Sequence, residues 1–167
     1  MRIKLIITFL IIFSLSHISY SQDYSNLKDI VLKDKTDYPK VEDKVLECAK
    51  YILNTPLDDK NLNRLNSLQF IMRWMEGTSD FTFNIDETIA KATKSDQLLL
   101  GVYMACMTKF VLENRDKAKD EKEVKFNSIV MLLNYCEVPS NNVDLNRELK
   151  KMIKAKKEDK LKEYLKL

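Results

Sequence analysis

Only two glycines, Gly77 and Gly101, and three prolines, Pro39, Pro56 and Pro139, punctuate 167 residues. A sheet of many short strands needs a turn every several residues, and those turns draw on Gly, Pro, Asn and Asp at particular backbone angles. With so little turn chemistry the chain is expected to be all-α, an irregular bundle of about five to seven helices built from antiparallel helical hairpins. A short α-solenoid is the alternative, although no repeated sequence argues for it.

Apolar spacing then locates the helices. Residues 38–54 place Val41, Val45, Cys48, Ala49, Ile52 and Leu53 on one face, with Pro39 in the first turn, where its missing N–H is harmless. A second helix is expected from a cap at Asp58, with Leu57 and Leu62 spaced as a hydrophobic staple, through Leu65, Leu68, Ile71, Met72 and Met75. Gly77 is expected to end it in the left-handed conformation. Residues 80–85 alternate apolar and polar, which suits an extended connector. Asn84 and Glu87 read as a capping box and Ser95 as the cap of the following helix.

Between Leu98 and Leu112 only Thr108 and Lys109 are polar, so that helix belongs at the centre of the domain. Gly101 within it implies close approach of a neighbour. Further helices are expected over 124–136 and 143–165, the last with a phase break across 154–160.

The N-terminus carries a different signal. Arg2 and Lys4 precede an apolar run from Leu5 to Leu15, and Ser19 and Ser21 supply small side chains at the two positions a signal peptidase inspects. Residues 1–21 are therefore expected to be a cleavable signal peptide, 22–37 a partly flexible segment, and 38–167 a single helical domain, exported to the periplasm or exterior. No integral membrane segment is expected after cleavage, because a span needs roughly 20 apolar residues. Removing 21 of 167 residues leaves 146; it takes two of the 28 bases and none of the 25 acids, so the mature net charge is about +1. It also takes His17, the single histidine.

That loss excludes Ser-His and Cys-His catalysis and the usual zinc sites from the mature chain, and two glycines cannot build a phosphate-cradling loop. No metal or cofactor is expected. Asp58, Asp59, Glu76, Asp80, Asp86 and Glu87 supply carboxylates that a hydrolase would need to pair across a cleft. Ser25 and Lys28 match Ser-x-x-Lys without its companion motifs. Met72, Met75, Met104, Met107 and Met131 would suit a carrier of an apolar ligand, or simply packing.

The densest candidate is the stretch 73–83. Arg73, Trp74, Glu76, Asp80, Phe81 and Phe83 gather charge and aromatic surface at a helix end, a combination that binds a protein or another envelope component; the same aromatics would equally fill a core. Cys106 and Cys136, fifteen residues either side of Glu121, would stand level in a hairpin turning at Asp120 and Glu121. They are the candidate disulfide, against the alternative that all three cysteines, Cys48 included, are buried thiols. The run 147–167 holds nine bases and four acids, either a contact for an anionic surface or a solvated helix face. Nucleic acid is not an expected partner outside the cytoplasm.

The signal ending Ser19-Tyr20-Ser21-Gln22, the step from Tyr51 to Pro56 and the stretch from Trp74 to Phe83 resemble small, uncharacterised exported helical proteins of Bacteroidota. The resemblance implies an envelope location and brings no catalytic residues. The reading is thus a non-catalytic exported helical domain, with a carboxylate-dependent hydrolase or an apolar-ligand carrier as alternatives.

Overall fold

Asp and Asn side chains open five of the helices, each taking up backbone N–H groups that have no partner inside the helix. The computed structural model describes residues 24–94 and 96–167, and among these the regular structure is entirely helical. The α-helices are α1 (Glu42–Leu53), α2 (Leu62–Gly77), α3 (Glu87–Thr93), α4 (Gln97–Glu113), α5 (Glu121–Cys136), α6 (Arg147–Lys157) and α7 (Leu161–Tyr164), with 3₁₀ turns at Ser25–Asp29, Pro39–Val41 and Pro139–Asn141. The expected signal peptide at 1–21 lies outside the described residues, as does Ser95. No helix among the described residues is long and apolar enough to cross a membrane.

The caps fall close to the expected positions but seldom on them. Asn61, not Asp58, opens α2 by accepting from the Arg64 N–H, while Asp58 closes a local turn onto the N–H of Lys60. Leu62 is 70% exposed, so it forms no staple with Leu57. Asp86, rather than Asn84, caps α3; Asp96 caps α4; Asp120 caps α5, and Asn146 caps α6. The phase break in the last region is a true interruption: α6 ends at Lys157, Asp159 takes a positive φ of 55°, and α7 starts afresh at Leu161.

α4 is the hub. It packs against α1, α2, α3 and α5, so the helices share one core rather than forming a linear stack. Its buried side chains, among them Leu99, Val102, Tyr103, Cys106, Met107 and Val111, occur all round the helix, as its nearly continuous apolar sequence requires. Gly101 is the point of closest approach: a Cβ there would lie 2.6 Å from a Leu68 methyl of α2. Residues 24–30 lie along α2, with Tyr24 fully buried against Tyr51 at a ring separation of 4.7 Å and Leu27 buried beside it.

Gly77 departs from expectation. Its φ is not positive, and α2 is capped instead by Thr78, whose N–H donates to the Trp74 carbonyl. What demands glycine is packing, since a Cβ would stand 1.9 Å from Tyr38 Oη and 2.1 Å from Tyr38 Cζ. Gly77→Ala is expected to cost about 1–3 kcal/mol through this overpacking. Adding Tyr38→Ala should remove the Gly77 penalty in a double-mutant cycle read by urea denaturation. Additive effects would show that the contact is not the cause.

Candidate functional site

The side chains of the 73–83 stretch divide by where α2 points them. Its buried face is Arg64, Ser67, Phe70, Ile71 and Trp74, whereas Gln69, Met72 and Glu76 face outward and Asn66 is half-buried beside them. The stripe expected to be buried through Met72 is therefore rotated, with Met72 39% exposed.

Trp74 is fully enclosed, and its Nε1–H donates to the Tyr38 carbonyl at 3.3 Å. Phe81 and Phe83, half-buried on the extended connector, lean on its indole with centroid separations of 5.6 and 5.7 Å. Arg115 lies over Phe81 at 5.7 Å and ion-pairs with the buried Glu42 at the start of α1. Arg73 donates to the backbone carbonyls of Leu27 and Ile30, the latter at 3.3 Å, and so clamps residues 27–30 to α2. Four of the six candidates thus hold the fold together. Glu76 and Asp80 remain exposed, Asp80 taking a bond from Ser79 Oγ at 3.5 Å.

Beside the aromatic cluster runs a groove of about 360 Å³ between the Ser25–Asp29 turn and α2. Leu27 and Phe70 give it apolar walls, and Asn66, Gln69, Met72, Arg73 and Glu76 recur along it at three- and four-residue spacing. Arg73 and Glu76 also border a second hollow lined by Leu32, Tyr38 and Gly77, so the two depressions meet across them. Gln69 and Asn66 were not singled out in the sequence. The available signal was their phase, opposite to Phe70, Ile71 and Trp74.

Three of the six expected carboxylates, Asp58, Asp86 and Glu87, are engaged by neighbouring N–H groups or lysines. Asp86 has both oxygens occupied, Oδ1 by the N–H groups of Thr88 and Ile89 and Oδ2 by Lys125 Nζ at 2.6 Å. Burial alone would raise its carboxyl, but Lys125 and the two N–H donors outweigh burial and hold it below the usual carboxylate range. Glu87 is drawn to Lys91 at 2.8 Å, and Asp58 is spent on its own turn. Among the described residues no cluster of His, Cys, Asp and Glu could hold a metal ion. The five methionines are divided between core and surface: Met107 is buried, Met75, Met104 and Met131 are half-buried, and Met72 is exposed. In the basic C-terminal run, Lys151, Lys154, Lys156, Lys157 and Lys162 all reach carboxylates, which offsets much of its charge. Ser25 and Lys28 lie exposed on the first 3₁₀ turn.

Cys106 and Cys136 are separate free thiols, as is Cys48, and all three are buried. The hairpin turn occupies the residues between Glu113 and Asp120, before the Asp120–Glu121 position that would have levelled Cys106 with Cys136. Burial pushes the Cys48 and Cys136 thiols from 9 up to about 12, and burial with the neighbouring Cys136 raises Cys106 further. Raised folded-state values mean that the stability these neutral thiols contribute is complete below pH 9 and is lost as pH rises from there toward about 12. Denaturation midpoints are expected to fall across that window. At neutral pH all three thiols should resist a thiol reagent in the native state and react in denaturant; a single reactive thiol after unfolding would reveal a disulfide instead.

Comparison with protein-family models, with curated proteins and with solved structures returns no match.

Proposed function

We propose that the chain is an exported, non-catalytic helical domain that binds an envelope or extracellular protein through the outward stripe of α2. The observation that carries this reading is the groove along that stripe. Its apolar walls at Leu27 and Phe70, the exposed Met72 thioether and a rim of Asn66, Gln69 and Glu76 combine hydrophobic contact with hydrogen-bonding groups. Methionine adapts its shape to a partner surface at little cost. Arg73 borders the groove and its guanidinium holds the turn that forms one wall, while the Trp74–Phe81–Phe83 cluster packs the helix end behind it. Glu76, among the residues expected at the contact, lies on the stripe itself.

The test uses substitutions that leave the core alone. Met72→Glu and Gln69→Glu are expected to keep the unfolding midpoint of the parent chain, because both side chains face solvent. Each is expected to reduce recovery of a bound protein from envelope extract about tenfold, the effect of losing about 1.4 kcal/mol of contact. Equal recovery by parent and variants would defeat the reading.

A further inference from the structure

On the other side of the connector from Trp74 lies a smaller cavity, of about 220 Å³, that shares no residue with the α2 groove. Three elements and Leu167 form it: the connector through Asn84 and Asp86, α4 through Tyr103 and Met107, and α5 through Glu121, Lys122, Val124 and Lys125.

Tyr103 is only 1% exposed, yet it borders this cavity, and no group among the described residues makes a hydrogen bond with its hydroxyl. Unlike the Ser67, Thr108 and Ser128 hydroxyls, which are sealed in the core, the Tyr103 hydroxyl stays accessible where the ring borders the cavity, and a ligand oxygen there can bond to it. Burial, followed by the charge of Asp86, pushes the phenol well above its ordinary range, so it stays protonated and able to donate.

The charged side chains on its walls balance in number. Asp86 and Lys125 are paired at 2.6 Å, and Glu121 and Lys122 add one of each sign at its α5 edge. What the walls offer is therefore a set of donors and acceptors with no excess of either sign, beside the apolar side chains of Met107 and Val124. A ligand that matches has several hydroxyls, each able to donate and accept, apolar C–H surface between them and no net charge. Its size is limited too, because the cavity falls below the roughly 300 Å³ at which pockets for drug-sized molecules begin.

We propose that the cavity between the connector, α4 and α5 binds a neutral polyhydroxyl ligand the size of one sugar ring, with the Tyr103 hydroxyl as its buried hydrogen-bonding group. Asn84 and the Asp86–Lys125 pair supply the outer contacts.

The experiment titrates the full chain, followed by amide NMR, with glucose, galactose, mannose and N-acetylglucosamine, with myo-inositol as a polyol that is not a sugar, and with glutamate and succinate as charged ligands of similar size. At least one of the neutral polyols is expected to give saturable shifts in the low-millimolar range or tighter, concentrated at Asn84, Tyr103 and Lys125. Tyr103→Phe, which keeps the ring, is expected to weaken that binding about tenfold. Asn84→Ala, at an exposed connector position, should weaken it without disturbing the core. Absence of saturable binding by every polyol would overturn the proposal. Preference for glutamate or succinate, or unchanged affinity in both variants, would overturn it as well.

Discussion

Trp74→Ala is expected to lower the free energy of unfolding by about 3–5 kcal/mol, the usual cost of emptying a tryptophan-sized site. The indole is completely enclosed, touches Phe81 and Phe83 and donates to the Tyr38 carbonyl, so its removal opens a cavity and leaves that carbonyl with the Val41 N–H as its remaining donor. Trp74→Phe keeps a ring in the site and should cost about 1–2 kcal/mol. Urea denaturation followed by far-UV circular dichroism measures both, since Trp74 is the single tryptophan and its fluorescence goes with it. The size of the effect has a practical consequence. Domains of this kind are stable by about 5–15 kcal/mol, so failure of Trp74→Ala to bind a partner would report unfolding before it reported a lost contact. A change within about 0.5 kcal/mol, the range of ordinary surface substitutions, would mean the indole is not enclosed.

The second large effect is expected at Arg64, which is 3% exposed and faces no carboxylate among the described ion pairs. Its Nη1 donates to the carbonyls of Ile52 and Thr55, at 2.7 and 3.0 Å, and to Thr55 Oγ1 at 2.9 Å. Ile52 belongs to the last turn of α1, where carbonyls lack intrahelical donors and the helix dipole favours a cation. Tyr135 of α5 donates to the same Thr55 carbonyl at 2.7 Å and lies beneath the guanidinium, 5.9 Å from its carbon. One side chain thus joins α1, α2 and α5. Arg64→Ala is expected to cost about 3–4 kcal/mol, and Arg64→Lys to recover only part of it, because an ammonium lacks the planar fork. Tyr135→Phe should cost about 1 kcal/mol, and a double-mutant cycle should give a coupling above about 0.5 kcal/mol. Additivity would mean the two side chains stabilise the Thr55 corner independently.

How far the sequence revealed this arrangement depended on whether local rules or distant contacts decide each feature. The uninterrupted apolar run of α4 leaves no polar face to turn outward, so its central place follows from sequence alone. The helix starts were legible to within a few residues. Asp58 and Asn61, or Asn84 and Asp86, are all competent caps, and choosing between them requires knowing where the chain enters the core. Gly77 misled because glycine at a helix end ordinarily signals a left-handed cap, whereas here the constraint is the ring of Tyr38 arriving from before α1. Arg64 resembles a solvated helical arginine until its phase is compared with Ser67, Ile71 and Trp74, which shows it on the buried face. In the 73–83 stretch the composition gathers charge and aromatic surface at one helix end. Composition could not separate Trp74, turned inward, from Met72 two residues earlier and turned out.

That separation is the core of the functional reading, and site-specific photo-crosslinking tests it most directly. A photoreactive phenylalanine analogue is placed at position 72 in one chain and at position 80, also exposed but beyond the end of α2, in another. Irradiation in envelope extract is expected to yield a discrete crosslinked protein from position 72 and little from position 80. Crosslinking confined to position 80, or equal at the two sites, would contradict the assignment of the contact surface to α2.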